Sequence, residues 1–148
     1  DGVRLYRKEC FEQIDGMQIV RGTETVAEAR ALIHGWKLRR FTHITGLHRR
    51  KSHRAVSLWK RWELVGAEQH YLGYHPLLVL GSCGYDLLVK KPKYLFLAHL
   101  IGYIKAVLRR QARIDDREII EYFGKKRLQD ILPQIPSLFK QVIRYLFK

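Results

Sequence analysis

Cysteine is nearly absent from this chain of 148 residues. Cys10 and Cys83 are its two cysteines, and they are too few and too far apart for a disulfide framework or a structural zinc site. We therefore expect two ordinary buried thiols and a reducing compartment.

Long apolar segments are also missing. Residues 1–15 mix charged and apolar side chains throughout, which excludes the apolar core of a signal peptide there. The uncharged run at residues 94–104 is bounded by Lys93 and Lys105, and it is shorter than the ~20 residues that span a bilayer. We expect no membrane-spanning helix.

Acidic side chains are scarce relative to basic ones. The 28 Lys and Arg residues outnumber the 14 Asp and Glu residues, which gives a net charge of +14. This excess predicts attraction to nucleic acid, nucleotide phosphates or an anionic membrane surface. The hydrophobic fraction of 47% indicates a packed protein, and the length fits one domain or part of a larger one.

The first 55 residues predict a mixed α/β arrangement. Thr25 and Glu28 match a capping box at the start of a helix with Val26, Ala29 and Ile33 on its buried side, and Gly35 would end it. The pattern predicts strands at residues 3–6, 36–41 and 43–48 and helices at residues 7–14 and about 25–35. This order suits part of an α/β layer.

The composition changes near residue 55, and the remainder predicts helices. Residues 55–69 lack a clear period and are expected to be irregular. Prolines in first-turn positions, together with a capping box at Asp115 and Glu118, indicate the starts of later helices. We predict helices at 77–89, from Pro92 to about residue 110, from about residue 116 to Pro133, and at 137–147.

Five short motifs follow one another along nearly the whole chain. They are Arg7-Lys8-Glu9-Cys10-Phe11-Glu12-Gln13-Ile14-Asp15-Gly16, Gly22-Thr23-Glu24-Thr25, Gly35-Trp36-Lys37-Leu38-Arg39-Arg40-Phe41, His48-Arg49-Arg50 and Leu72-Gly73-Tyr74-His75-Pro76-Leu77. In this order they resemble the C-terminal half of bacterial family 2 glycosyltransferases with the GT-A fold. Three positions depart from the family pattern: Asp15 replaces a glycine, Glu24 an aspartate and Arg49 a histidine.

The resemblance implies a fold and a domain organisation. We expect an α/β protein with a partial GT-A (Rossmann-like) sheet region, followed by a mainly helical C-terminal region. Residues 1–55 would be the C-terminal part of the catalytic domain, and residues 56–148 a helical extension that associates with a membrane or oligomerises. The Asp-x-Asp motif that carries metal and nucleotide sugar in this family is absent, which indicates a fragment from a truncated, split or decayed gene.

The resemblance assigns the family's catalytic base to Glu24. A carboxylate at a helix N-terminus is stabilised by the helix dipole and free N–H groups. Such a group can take the proton of an acceptor hydroxyl during sugar transfer. The alternative is a surface carboxylate near a helix cap, and the additional methylene of glutamate relative to aspartate would displace the base by ~1 Å.

The resemblance assigns the donor side of the site to the motif at residues 48–50. His48 would face a divalent metal, Mg or Mn, in the complete enzyme, while Arg49 and Arg50 would bind the diphosphate. This chain alone is expected to bind no metal. The alternatives are a structural histidine and a solvated basic loop.

These residues predict a glycosyltransferase fragment that transfers a sugar from a nucleotide sugar to a hydroxyl acceptor in polysaccharide or glycolipid synthesis. We expect a cytoplasmic location, with the inner membrane surface and a homo-oligomer open as partners, and an isolated chain without activity. One alternative is a basic nucleic-acid-binding module, although no zinc-finger, homeodomain or RNP signature is present. Another is a noncatalytic membrane-surface or oligomerisation module, since the later helices are rich in leucine and have basic ends.

Overall fold

A computed structural model of the chain describes residues 4–39, Phe41 and residues 56–134. The chain divides into two compact units, an N-terminal unit at Asp1–Ala55 and a C-terminal unit at Val56–Lys148. The helices are α1 (Lys8–Gln13), α2 (Thr23–Ile33), α3 (Leu58–Tyr71), α4 (Pro76–Val89), α5 (Leu95–Leu108), α6 (Arg117–Glu121) and α7 (Arg127–Ile131). A π-helical turn at Tyr122–Lys126 joins α6 to α7, and a 3₁₀ turn at Leu132–Gln134 follows.

The predicted α/β fold is wrong for these residues, because they contain helices and no strand. There is accordingly no Rossmann-like GT-A sheet in the part of the chain that the structure describes. A strand needs a neighbour for its backbone hydrogen bonds, and the predicted segments have other partners. Arg4 binds side chains of α2, and the Trp36 N–H donates to the Ala31 carbonyl at 2.9 Å. The predicted strand at residues 43–48 lies outside the described residues.

In the N-terminal unit, α1 and α2 share a small apolar core. Its members are Cys10, Ile14, Ala27 and Ala31, with Tyr6 and Trp36 packed against them. The predicted helix at residues 7–14 is confirmed, and so is the end of α2 at Gly35, whose φ of 82° is in the left-handed region. The capping box was wrong: α2 begins at Thr23, two residues before Thr25, and Gly22 is its N-cap.

In the C-terminal unit, α3 packs closely against α5. Gly66 and Gly102 lie at the crossing, where neither has room for a Cβ atom. The prediction of irregular structure at residues 55–69 was wrong. Ser57 caps α3 by accepting from the Lys60 N–H at 3.2 Å, and the buried side of α3 consists of Gly66, Ala67 and His70 rather than large apolar residues.

The start of α4 at Pro76 confirms the prediction, and His75 Nδ1 caps it by accepting from the Leu77 N–H at 3.2 Å. Helix α5 begins at Leu95, three residues after Pro92, because residues 90–94 form the turn between the helices. Helix α6 begins at Arg117, in agreement with the predicted start near Asp116, but its cap is Asp116 and not Asp115 as the predicted capping box required. The helix predicted at residues 137–147 lies outside the described residues.

Candidate functional site

Glu24 lies in the first turn of α2, in the N-terminal unit. Gly22 provides the turn into this helix, and the Thr23 hydroxyl donates to the Val20 carbonyl at 2.7 Å. The first turn is therefore anchored to the preceding loop. The side chain of Glu24 is 55% exposed, so a molecule in solution can reach its carboxylate.

Arg4 connects Glu24 to a second carboxylate of the same helix. Its guanidinium donates from Nη1 to Glu24 Oε2 and from Nε to Glu28 Oε1, the latter at 2.6 Å. The hydrogen bond to Glu28 is the largest cause that raises the pKa of Arg4 above its usual value. Arg4 therefore stays charged and holds the irregular N-terminal segment against the start of α2.

An open cleft of ≈ 510 Å³ lies beside this ion-pair network. Its apolar lining includes Tyr6, Phe11 and Met17, and its polar lining includes Arg4, Lys8 and Glu24. Phe11 is 42% exposed, so part of its ring is available for contact. The cleft therefore combines a carboxylate, two cations and aromatic surface, which suits a small polar ligand with apolar faces.

Tyr6 adds an unusual group to this cleft. Its hydroxyl is buried and has no hydrogen-bond partner among the described residues, and burial raises the pKa of Tyr6. The ring packs at 6.2 Å from that of Phe11, measured between centroids. Tyr6 is thus fixed as a neutral side chain between the core of the unit and the cleft.

Of the site residues predicted from the sequence, Glu24 lines this cleft, and its role as a base stays a prediction. His48, Arg49 and Arg50 lie outside the described residues. Sequence reasoning missed Arg4 and Lys8 as groups of the same cleft, because Arg4 is separated from Glu24 by 20 positions and no local pattern connects them.

Metal ligands do not cluster among residues 4–39, Phe41 and residues 56–134: these contain no group of three or more His, Cys, Asp or Glu side chains that could hold an ion. Glu24 and Glu28, the two carboxylates of the cleft region, both bind Arg4. We therefore consider a divalent metal only for a complete enzyme, as part of the functional proposal below.

A second group of ionisable residues lies inside the C-terminal unit. His99 Nδ1 is 2.8 Å from Asp86 Oδ2, and His99 Nε2 is 2.8 Å from Gln69 Oε1. His99 is 1% exposed and Asp86 3%, so no substrate reaches this pair. Lys90 lies at its edge, 3.4 Å from Asp86 and 4.0 Å above the ring of Trp62. The arrangement is a structural network that joins α3, α4 and α5.

None of the helices that the structure describes has the length and apolarity needed to cross a bilayer. No protein-family model, curated protein or solved structure matches this chain. A proposal of function therefore depends on the chemistry of the Glu24 cleft and on the motif resemblance.

Proposed function

We propose that this chain corresponds to the C-terminal half of a family 2 glycosyltransferase, a family in which the N-terminal half binds the nucleotide. The parent reaction transfers a sugar from a nucleotide sugar to a hydroxyl acceptor in polysaccharide or glycolipid synthesis. The proposal includes a cytoplasmic location at the inner membrane surface. It does not include the GT-A sheet, because the described residues are helical.

The observation that carries the proposal is the position of Glu24. Its exposed carboxylate lies in the first turn of α2 and borders a cleft with aromatic walls. In the reaction, this carboxylate takes the proton from the acceptor hydroxyl while the hydroxyl oxygen bonds to the anomeric carbon. The bond from that carbon to the diphosphate oxygen breaks, and its electron pair leaves with the nucleoside diphosphate.

Arg4 and Glu28 position this base. Because Arg4 is also held by Glu28, it stays in place when Glu24 turns towards an acceptor. The aromatic surfaces of Tyr6 and Phe11 offer contact to the apolar face of a sugar ring. In the complete enzyme a divalent metal would neutralise the leaving diphosphate. By resemblance, His48, Arg49 and Arg50 are the residues of this chain on that side.

Reconstitution with a donor-binding half tests the proposal. The chain is co-expressed with an upstream coding segment that contains an Asp-x-Asp motif, and transfer is measured with a panel of radiolabelled nucleotide sugars. Glu24→Gln should lower the transfer rate by about 10²- to 10⁴-fold, the usual contribution of a general base.

Glu118→Gln is the matched control, because Glu118 is also an exposed glutamate in the first turn of a helix, α6, but does not line the cleft. We expect it to change the rate by less than about fivefold. Absence of transfer across the panel, or full transfer by Glu24→Gln, would contradict the proposal.

A further inference from the structure

The solvent-facing side of α4 carries no charge. This helix has one ionisable acidic residue, Asp86, and it is buried. Its exposed positions are Pro76, Leu77, Leu80, Gly81, Tyr85, Leu87 and Leu88. Leu77, Leu80, Gly81 and Leu88 have the spacing of one helix side, and we call these four residues the α4 face.

A soluble helix normally covers its exposed side with polar residues, so the α4 face is a candidate for contact with an apolar partner. The neighbouring helix α5, which packs against α4, exposes Leu97, Ile104 and Leu108 as well. Gly81 leaves the middle of the α4 face open, since a Cβ atom there would meet nothing within 4 Å.

The charges around this region favour a partner with negative charge. Between residues 69 and 114, Asp86 is the one acidic residue of the sequence. The same stretch contains seven basic residues, Lys90, Lys91, Lys93, Lys105, Arg109, Arg110 and Arg113. Three of them directly follow the C-terminus of α4: Lys90 pairs with Asp86, Lys93 donates to the last carbonyls of the helix, and Lys91 is exposed. An apolar surface with basic residues at its end matches a bilayer that has anionic head groups.

A second copy of the chain matches this surface less well. Pairing two such faces would bring like charges together in a protein with a net charge of +14. A bilayer supplies both the apolar layer and the negative charge. With 14 residues, α4 is about 21 Å long, too short for the ~30 Å hydrocarbon core, so it would lie in the plane of the interface.

We propose that the α4 face binds the surface of an anionic lipid bilayer, with the exposed Lys91 at the head groups. This names the surface behind the membrane location proposed above. It does not depend on sugar transfer, so vesicle binding and transfer can fail separately.

Vesicle sedimentation tests the proposal with the full chain. Vesicles of equimolar phosphatidylglycerol and phosphatidylcholine should pull down the chain, whereas pure phosphatidylcholine vesicles should bind at least about tenfold less. The double variant Leu77→Ser/Leu80→Ser should lose at least about tenfold in affinity for the mixed vesicles. Lys91→Glu should lose about fivefold or more.

Leu132→Ser is the matched control, because Leu132 is 53% exposed, close to the 54% of Leu80, and lies outside α4 and α5. It should bind like the unmodified chain. Gly81→Glu is a second disruptive variant that the fold accepts without a clash, and it should also abolish binding. Circular dichroism checks that each variant keeps its helical content.

A fluorescent probe reports the contact directly. An environment-sensitive dye attached to Leu80→Cys should shift to the blue on mixed vesicles, and the same dye on Leu132→Cys should not. Cys10 and Cys83 are buried and do not compete for the label. Failure to bind mixed vesicles would overturn the proposal. So would equal binding by the double variant and Leu132→Ser, or a dimer that the double variant dissociates while vesicle binding is unaffected.

Discussion

Gly66 on α3 faces the backbone carbonyl of His99 on α5 so closely that a Cβ atom at Gly66 would lie 2.0 Å from that oxygen. The reciprocal relationship holds at Gly102, where a Cβ atom would lie 2.0 Å from the carbonyl oxygen of Glu63. The two helices therefore meet through their backbones at these positions. Any side chain there must push the helices apart.

We expect Gly66→Ala and Gly102→Ala each to lower the free energy of unfolding of the C-terminal unit by about 3 kcal/mol or more, because the clash is with backbone. Gly84→Ala is the control: its Cβ atom would meet nothing within 4 Å, and we expect a gain of about 0.5–1 kcal/mol. Urea denaturation measures both, followed by the fluorescence of Trp59 and Trp62 in a Trp36→Phe background. A Gly66→Ala variant as stable as Gly84→Ala would contradict the described crossing.

His70 should make the C-terminal unit sensitive to mild acid. Burial is the largest cause that lowers the pKa of His70 below 6.5, and the nearby charge of Arg113 lowers it further. In the part of the chain that the structure describes, the Nδ1 atom of His70 has no hydrogen-bond partner. As the pH falls below 6.5, the unfolded chain takes up a proton at this position before the folded chain does. The free energy of unfolding is therefore undiminished above pH 6.5. As the pH decreases below this value, the free energy of unfolding decreases by at most about 1.4 kcal/mol per pH unit.

His70→Phe should flatten this pH profile while keeping an aromatic ring beside Tyr103, whose ring centroid is 6.0 Å away. Glu63→Gln is the comparison. Hydrogen bonds, first from Lys105 and then from Lys60, lower the pKa of Glu63 below 4.5, so its contribution is lost only at lower pH. Glu63→Gln should leave the slope just below pH 6.5 unchanged. The measurement is the urea midpoint of each variant at several pH values below 6.5. If His70→Phe has the same pH dependence as the unmodified chain, another group is responsible.

Two adjacent aspartates at the start of α6 have different structural roles. Asp116 Oδ1 accepts from the Ile119 N–H at 3.1 Å, whereas Asp115 is exposed and is not the capping residue. We expect Asp116→Ala to lower the free energy of unfolding by about 1 kcal/mol and Asp115→Ala to change it by less than about 0.5 kcal/mol. Thermal denaturation of both variants checks this, and equal effects would show that the cap is assigned to the wrong residue.

The sequence predicted the helices whose signals are local. Pro76 presets the first turn of α4, and Gly35 supplies the left-handed residue that ends α2, so both boundaries were predictable from single residues. The start of α6 was close for the same reason, although the pattern could not distinguish Asp115 from Asp116. Signals of this kind act within one turn of helix and need no knowledge of the rest of the chain.

The errors occurred where distant residues decide the structure. Helix α3 was missed because Gly66 and Ala67 form its buried side, and small residues give no apolar period. Residues 36–39 and Phe41, part of a predicted strand, form none, because alternation of side chains does not show whether a neighbouring strand exists to accept the hydrogen bonds. The exposure of Glu24 was consistent with its place near a helix start, but its pairing with Arg4 depends on how the N-terminal segment folds back on α2.

The buried contacts of His99 have a consequence for the alignment of three helices. Sliding α4 by one turn along α5 would move Asp86 about 5 Å away from the imidazole and leave a carboxylate without a partner in apolar surroundings. Apolar side chains alone tolerate such slippage, because one leucine replaces another at similar cost. We infer that Asp86, His99 and Gln69 select a single register for α3, α4 and α5. This register also keeps the α4 face at a constant position relative to the lysines that follow the helix.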